Sequence, residues 1–448
     1  MKLIYIFSAV ILATGLGIGL ENNLTNTPSL ENTGSTQTES SGMIISTIVT
    51  NTGETIVSTG QILQTEQSSS GVTEEKVEHI KRPKKVNSLY FTGYAAATKS
   101  KITNLYNIAK NSSVNSVTID IKEVSGYTSF DFPDYTFGKI KPESYDAISD
   151  IKKTIKELHE KGIYVIGRIV VFKDKYLAGK RPDLAIKWSY DTKSAWTDYN
   201  GNKYLDPHSK EVWDYIVDLS LASYELGFDE INYDYVRFPT DGYISKTYYP
   251  FSSSILSKNS KWGKTMVIDE FGNYITTKIK EKNSDITLSA DIFGLVTNKD
   301  LFEIGQNLES FVLNFDYVGP MVYPSHYSVG YLGYQVPDNI PYKVIKDAMN
   351  NTNNRIDKLN SDIIQANMSG TTLLIQNGYT PKADITNIGE IPKTKIMPWL
   401  QGFTCTRCKG ATAYNSTKFN EEVSAVNDSG LESWWVWNSA SNYYPERY

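Results

Sequence analysis

Three aspartates give the first chemical lead. Asp120, Asp234 and Asp291 each stand at or near the end of a short run rich in β-branched and aromatic residues. Two carboxyl groups suitably placed can cleave a glycosidic bond: one protonates the leaving oxygen, and the other attacks the sugar or activates water. Aromatic faces complete such a site, because a Tyr or Trp ring pairs an apolar face with a polar handle. The remaining runs supply Arg168, Arg237, Tyr323 with His326 just beyond it, Trp399 with Gln401, and Trp437 with Asn438. A lone Asp at a strand end is more often a cap or a salt-bridge partner. Three of them converging on one rim shift the balance toward catalysis.

Such convergence requires elements that bring distant residues together. From residue 86 onward, short β-rich runs alternate with stretches of helical period, the pattern of parallel βαβ units. Strands are expected over 88–94, 116–122, 164–171, 230–235, 286–291, 317–323, 396–400 and 433–437. Helices are expected over 101–110, 145–161, 209–226, 267–282, 342–359 and 417–428. Eight strands within about 360 residues fit an α/β fold of the (β/α)8 TIM-type barrel, in which catalytic groups sit at the C-terminal strand ends. An open doubly wound sheet is weaker, since no G-x-G-x-x-G follows the first strand. Long connections after strands two, three and four belong on the active face of a barrel. The stretch 360–395 has no strong period and reads as an insertion before strand seven.

The runs also resemble a known family. The likeness covers about 86–438 and rests on Val117-Thr-Ile-Asp-Ile-Lys122, Gly167-Arg-Ile-Val-Val-Phe-Lys-Asp174, Asp206-Pro followed by Glu211-Val-Trp-Asp-Tyr215, and Gly227-Phe-Asp-Glu-Ile-Asn-Tyr-Asp-Tyr-Val-Arg-Phe-Pro239. It continues through Ser289-Ala-Asp-Ile-Phe-Gly294, Gly305-Gln-Asn-Leu-Glu309, Pro320-Met-Val-Tyr-Pro-Ser-His-Tyr327, Pro398-Trp-Leu-Gln401 and Trp437-Asn438. The sequence is similar to the bacterial putative glycosyl hydrolase domain family, a (β/α)8 barrel family of largely unknown specificity. The resemblance implies a glycosidase-like barrel and does not name a sugar. Many such glycosidases carry a nucleophilic Asp at the end of strand four, which maps onto Asp234.

Local surroundings suggest roles. Arg237, three residues after Asp234, is expected to hold that carboxylate ionised, as suits a nucleophile or base. Asp291 lies between Ala290 and Ile292, an apolar setting that favours a general acid. Asp120 competes for either role. Arg168, Arg237, Tyr323, His326, Trp399, Trp437 and Asn438 are the expected substrate contacts. Arg168 could equally pair with a carboxylate such as Asp120 inside the barrel, and His326 could equally serve a loop hydrogen bond. His208 reads as a helix-start residue.

No metal or cofactor is expected, because four His residues form no H-E-x-x-H and no Gly-rich phosphate loop is present. Cys405 and Cys408 fit a local disulfide better than a redox or zinc centre. The formal charge of −5 argues against a nucleic-acid partner. Tyr 31, Phe 16 and Trp 8 make an aromatic-rich chain, which fits a carbohydrate-contacting surface and, more simply, a well-packed core.

The N-terminus sets the expected location. Lys2 followed by an uncharged apolar stretch to Leu20 reads as an export signal or N-terminal anchor over 1–20. Residues 21–85 are rich in Ser, Thr, Gly and Glu and read as a disordered linker. Up to residue 80 they hold eight Glu against one Lys, so the acidity of the chain lies there. Short strands are possible near 43–49 and 56–63, and the basic run from Lys81 to Lys85 reads as a solvated junction. The barrel is assigned to 86–448. The whole reads as an extracellular or cell-surface protein whose partner is a polysaccharide or oligosaccharide, touching membrane only through its N-terminal segment. A non-catalytic glycan-binding or scaffold barrel is the alternative.

Overall fold

The computed structural model describes residues 78–369 and 388–448, together with two short strands, Ile45–Val49 and Thr55–Thr59. The expected leader at 1–20 and most of the expected linker lie outside the described residues. The two short strands belong to a separate unit and pair antiparallel, with Ile45 opposite Thr59.

Eight strands close a parallel barrel in the main unit: β1 (Asn87–Phe91), β2 (Ser116–Lys122), β3 (Tyr164–Val170), β4 (Glu230–Asp234), β5 (Thr287–Phe293), β6 (Tyr317–Met321), β7 (Trp399–Gln401) and β8 (Trp434–Trp437). Each pairs with its sequence neighbour, and β8 returns to β1 with Trp434 opposite Asn87. Around it lie α1 (Lys99–Asn111), α2 (Ile151–His159), α3 (Lys210–Glu225), α4 (Gly263–Lys282), α5 (Leu308–Asn314), α6 (Pro341–Ser369) and α7 (Ser416–Asp428). No described helix is long and apolar enough to cross a membrane.

Local chemistry sets the helix limits. α2 starts at residue 151 rather than 145 because Asp150 caps it, accepting the Lys153 amide at 2.9 Å. Ile151, Ile155 and Leu158 recur on one face and are buried. α6 runs ten residues past its expected end, because Ile356, Leu359, Ile363 and Ala366 continue a buried stripe through the stretch read as an insertion. α5 was not expected between strands five and six. Asn307 caps it, accepting the Ser310 amide at 2.9 Å.

Period-2 alternation divides the strand residues between two cores. One face meets the helices. The other fills the barrel with Tyr90, Tyr164, Ile166, Trp399 and Trp435, joined by Val86, Met397 and Tyr323. Burying each such large side chain is worth roughly 1.5–3 kcal/mol. The filled interior leaves chemistry to the strand ends and their loops.

The last residues of the segment read as linker are packed rather than solvated. Arg82 bonds Glu230 at 3.0 Å and lies 3.4 Å from the Tyr317 ring centroid. The Ile80 amide bonds Asp229 at 2.8 Å, and His79 stacks on Tyr224. The basic junction is thus corrected at Arg82: Glu230 is fully buried on the inner face of β4 and draws a cation out of water.

Candidate active site

Register places the carboxylates. Asp120 is opposite Arg168 in the β2–β3 ladder, and Asp234 is opposite Val170 between β3 and β4. The β4–β5 ladder runs to Tyr233 opposite Ala290, so Asp234 and Asp291 occupy the next level of adjacent strands. Neighbouring strands lie about 4.8 Å apart.

Arg168 joins two of the three aspartates. Its Nη1 donates to Asp120 Oδ1 at 2.6 Å and its Nη2 to Asp234 Oδ2 at 2.5 Å. Burial works against this guanidinium's charge, but Asp120 and Asp234 outweigh it and hold the proton more tightly than in a free arginine. Tyr90 Oη donates to the other oxygen of Asp120 at 2.5 Å, and burial with that carboxylate pushes the phenol well above its usual range. Asp234 Oδ1 accepts the Tyr235 amide at 2.5 Å. Tyr235 has φ +55°, the left-handed region that a bulky side chain seldom enters. Strain of this kind collects at functional positions, and here it adjoins Asp234.

Asp291 has a different environment. Its Oδ1 accepts Asn232 Nδ2 at 3.0 Å and Trp399 Nε1 at 2.7 Å. Burial, and next the negative charge of Asp234, push its carboxyl well above the ordinary carboxylate range. Both donors use Oδ1, so Oδ2 is the oxygen left for a proton. Gly319 on β6 makes room, since a Cβ there would fall 2.5 Å from Asp291 Oδ1 and 3.0 Å from the Trp399 ring.

Of the expected contacts, Trp437 is half-buried, stacks on Tyr90 at 4.0 Å and lies 5.2 Å from the Arg168 guanidinium carbon. Tyr323 is buried, and its phenol is raised by that burial and by Asp291 and Asp234. His326 is exposed and meets the Tyr323 ring edge-on at 5.1 Å. Two residues are placed otherwise. Arg237 lies over the Tyr235 and Phe293 rings and donates to the Phe238 carbonyl. The cation bound to Asp234 is therefore Arg168, because β3 abuts β4 at this level whereas Arg237 has turned away past the strained Tyr235. Asn438 spends its amide on the Gly402 and Asn442 carbonyls and staples loops. His208 lies just before α3 and bonds Glu270.

Sequence reasoning passed over Tyr90 and Asn232. The signal for Asn232 was available, since it lies two residues before Asp234 and shares its face. Tyr90 shows only when β1 and β2 are paired. Cys405 and Cys408 form a disulfide at 2.05 Å. Among the described residues no group of three metal-ligating side chains comes together.

The glycoside hydrolase domain of PgaB (BpsB) from Bordetella bronchiseptica is 10% identical, with 80% of this chain and 94% of that one covered at a TM-score of 0.51. At that identity the likeness concerns the barrel alone. A hypothetical protein from Ruminiclostridium thermocellum is 29% identical over 45% of this chain and 96% of its own, at a TM-score of 0.37. The spore cortex-lytic enzyme SleL of Bacillus megaterium is 9% identical over 88% of this chain and 75% of its own, at 0.43. No curated protein matches the sequence. The family model described as a putative glycosyl hydrolase domain matches residues 88–443, which hold all eight barrel strands except Asn87, and the chain belongs to that family.

Proposed function

We propose that this protein is an exported glycoside hydrolase cleaving a cell-surface or extracellular polysaccharide, with Asp234 as nucleophile or base and Asp291 as general acid. One observation carries the reading: two carboxyl groups at one level of adjacent strands have opposite surroundings. Asp234 is ion-paired to Arg168 and receives a backbone amide. Asp291 is desolvated, and burial with that neighbouring charge pushes its carboxyl well above the ordinary carboxylate range. Environments that divide a carboxyl pair in this way assign acid and base. Asp291 Oδ2 would protonate the leaving oxygen while Asp234 attacks or activates water. Asp120, tied to Tyr90 and Arg168, orients the guanidinium that holds Asp234. Half-buried Trp437 and exposed His326 are the faces best placed for sugar. The Cys405–Cys408 disulfide supports an oxidising, extracellular setting.

The second reading, a glycan-binding barrel without catalysis, is favoured by one feature. Asp291 is only 1% exposed, and an acid must reach its substrate. A polysaccharide screen with wild type and Asp234→Asn side by side separates the two. Cleavage by wild type alone supports the hydrolase. Equal cleavage by both ends the assignment of Asp234 and brings Asp120 forward, and retention without cleavage favours the binding barrel.

A further inference from the structure

Buried polar side chains run in single file up the barrel interior between β4 and β5. Glu230 and Asn232 lie two residues apart on the inner face of β4, and Ser289 and Asp291 do the same on β5. Ser289 is opposite Asn232 in the ladder, and all of them are buried. Ser289 Oγ bonds Glu230 Oε1 at 2.7 Å. Asn232 Nδ2 lies 3.2 Å from Ser289 Oγ and 3.0 Å from Asp291 Oδ1. The file therefore leads from the N-terminal mouth to the carboxylate rim. It starts at Oε1 of Glu230, the oxygen that Arg82 does not touch.

Donor and acceptor chemistry gives every bond in the file one direction. An ion-paired carboxylate accepts and cannot donate, so the Ser289 hydroxyl points its proton at Glu230. That hydroxyl has no second proton, so it can only accept from Asn232. The amide must then present its nitrogen, and the same nitrogen donates to Asp291 Oδ1. Trp399 Nε1, a group that can only donate, takes the same oxygen at 2.7 Å. Turned over, the Asn232 amide would set its carbonyl oxygen against Asp291 Oδ1 and against a Ser289 oxygen with no proton to give. Its carbonyl oxygen is instead left buried without a hydrogen-bond partner among the described residues, a penalty accepted to keep the file in register.

We propose that Ser289 and Asn232 are positioning residues: this file of one-way bonds confines the proton of Asp291 to Oδ2, the oxygen that the hydrolase reading assigns to the leaving group. The proposal rests on that reading for the proton's destination. The charged and titratable groups facing Asp291 are Asp234 on β4, Arg168 on β3 and Tyr323 beyond β6, with Asp120 and Tyr90 behind Arg168. An N–H donated to a carboxylate favours its charged form, so losing the Asn232 bond should raise the titration of Asp291 further.

The test reads Asp291 without substrate, through the indole N–H that Trp399 donates to it. Full-length protein is labelled at the tryptophan indole nitrogens and titrated by NMR. Trp399→Phe identifies the resonance, and Asp291→Asn identifies its titration. Asn232→Leu should raise the midpoint by about one pH unit. Ser289→Ala, which frees the amide to turn, should raise it by less, and Ser289→Thr, which keeps the hydroxyl, should restore the wild-type midpoint. On any glycan that wild type cleaves, the alkaline limb of kcat should move with the midpoint, with KM held within about twofold. A midpoint unmoved by Asn232→Leu, a wild-type resonance that does not titrate, or equal midpoints in Ser289→Ala and Ser289→Thr overturns the proposal. The Ser289 pair decides alone if Asn232→Leu does not fold. The expected midpoints with no glycan cleaved by wild type keep the file and end the hydrolase reading.

Discussion

The two ends of the barrel are built from the same parts and are balanced differently. At the N-terminal mouth, Arg82 meets one carboxylate, Glu230, over the face of Tyr317. Ser289 Oγ supplies a further hydrogen bond to Glu230 at 2.7 Å. At the C-terminal rim, Arg168 meets two carboxylates beside the rings of Tyr90 and Trp437, and a third, Asp291, stands next to them without a cation of its own. One cation for one carboxylate makes a plug. One cation serves three carboxyls there, and burial together with the charge of Asp234 pushes Asp291 well above the ordinary carboxylate range. On the proposed hydrolase reading, reactivity would follow from that imbalance and from the strand ends where it sits, rather than from residue type.

The comparison breaks most readily at Asp234. Asp234→Asn keeps the shape and removes the anionic oxygen, so turnover should fall roughly a thousandfold or more while substrate is still bound. Near-normal turnover on any glycan that wild type cleaves would end the assignment of Asp234 and bring Asp120, on the same rim, forward.

Asp291→Asn should cost about 10²–10⁴-fold with poor leaving groups and much less with good ones, since a good leaving group needs little protonation. Its pH profile carries a sign. Asp291 donates only while protonated, so activity should fall as pH rises through its lifted pKa, on the alkaline side of the ordinary carboxylate range near about 4. Across the same window the folded protein holds a proton that the unfolded chain has lost, so stability should decline as pH rises. In Asp291→Asn the activity limb should vanish and the stability slope should lessen, since the buried carboxyls of Glu422 and Asp120 are also raised and remain; persistence of the activity limb would assign it to another group.

Gly319→Ala probes the room made for Asp291. The added methyl must displace Asp291 or Trp399, and a shift near 1 Å should reduce kcat about 100-fold with little change in KM. A kcat within twofold of wild type would show that the position of Asp291 is not critical.

Arg82→Met gives the smallest change in turnover. It leaves Glu230 buried without its cation and should lower unfolding free energy by about 3–5 kcal/mol in urea titrations. The kcat per folded molecule should stay within twofold. A large loss of kcat in the folded enzyme would couple the two mouths and dissolve the contrast between them.

Much of this was legible in one dimension. Alternating periods of two and 3.6 mark all eight strands and six of the seven labelled helices, because each element must bury its own face. Asp120, Asp234 and Asp291 are visible at their strand ends for the same reason. The seventh helix, α5, is short and depends on its Asn307 cap, which a window sized for longer helices passes over. The late end of α6 went unread because polar residues dilute its apolar stripe.

The sequence by itself determined the barrel, the aspartates and the aromatic supply, since periodicity and residue type are local properties. Only the tertiary structure decided which cation holds which carboxylate. Arg237 is three residues from Asp234 and does not reach it, whereas Arg168 is 66 residues away and bonds it. It also decided that Tyr90 belongs with Asp120 and that Trp399 steadies Asp291 across 108 residues of chain. The physical reason is common to all of them. Coulomb energy and desolvation depend on distance in space and on what excludes water. In a closed barrel, those neighbours come from other strands.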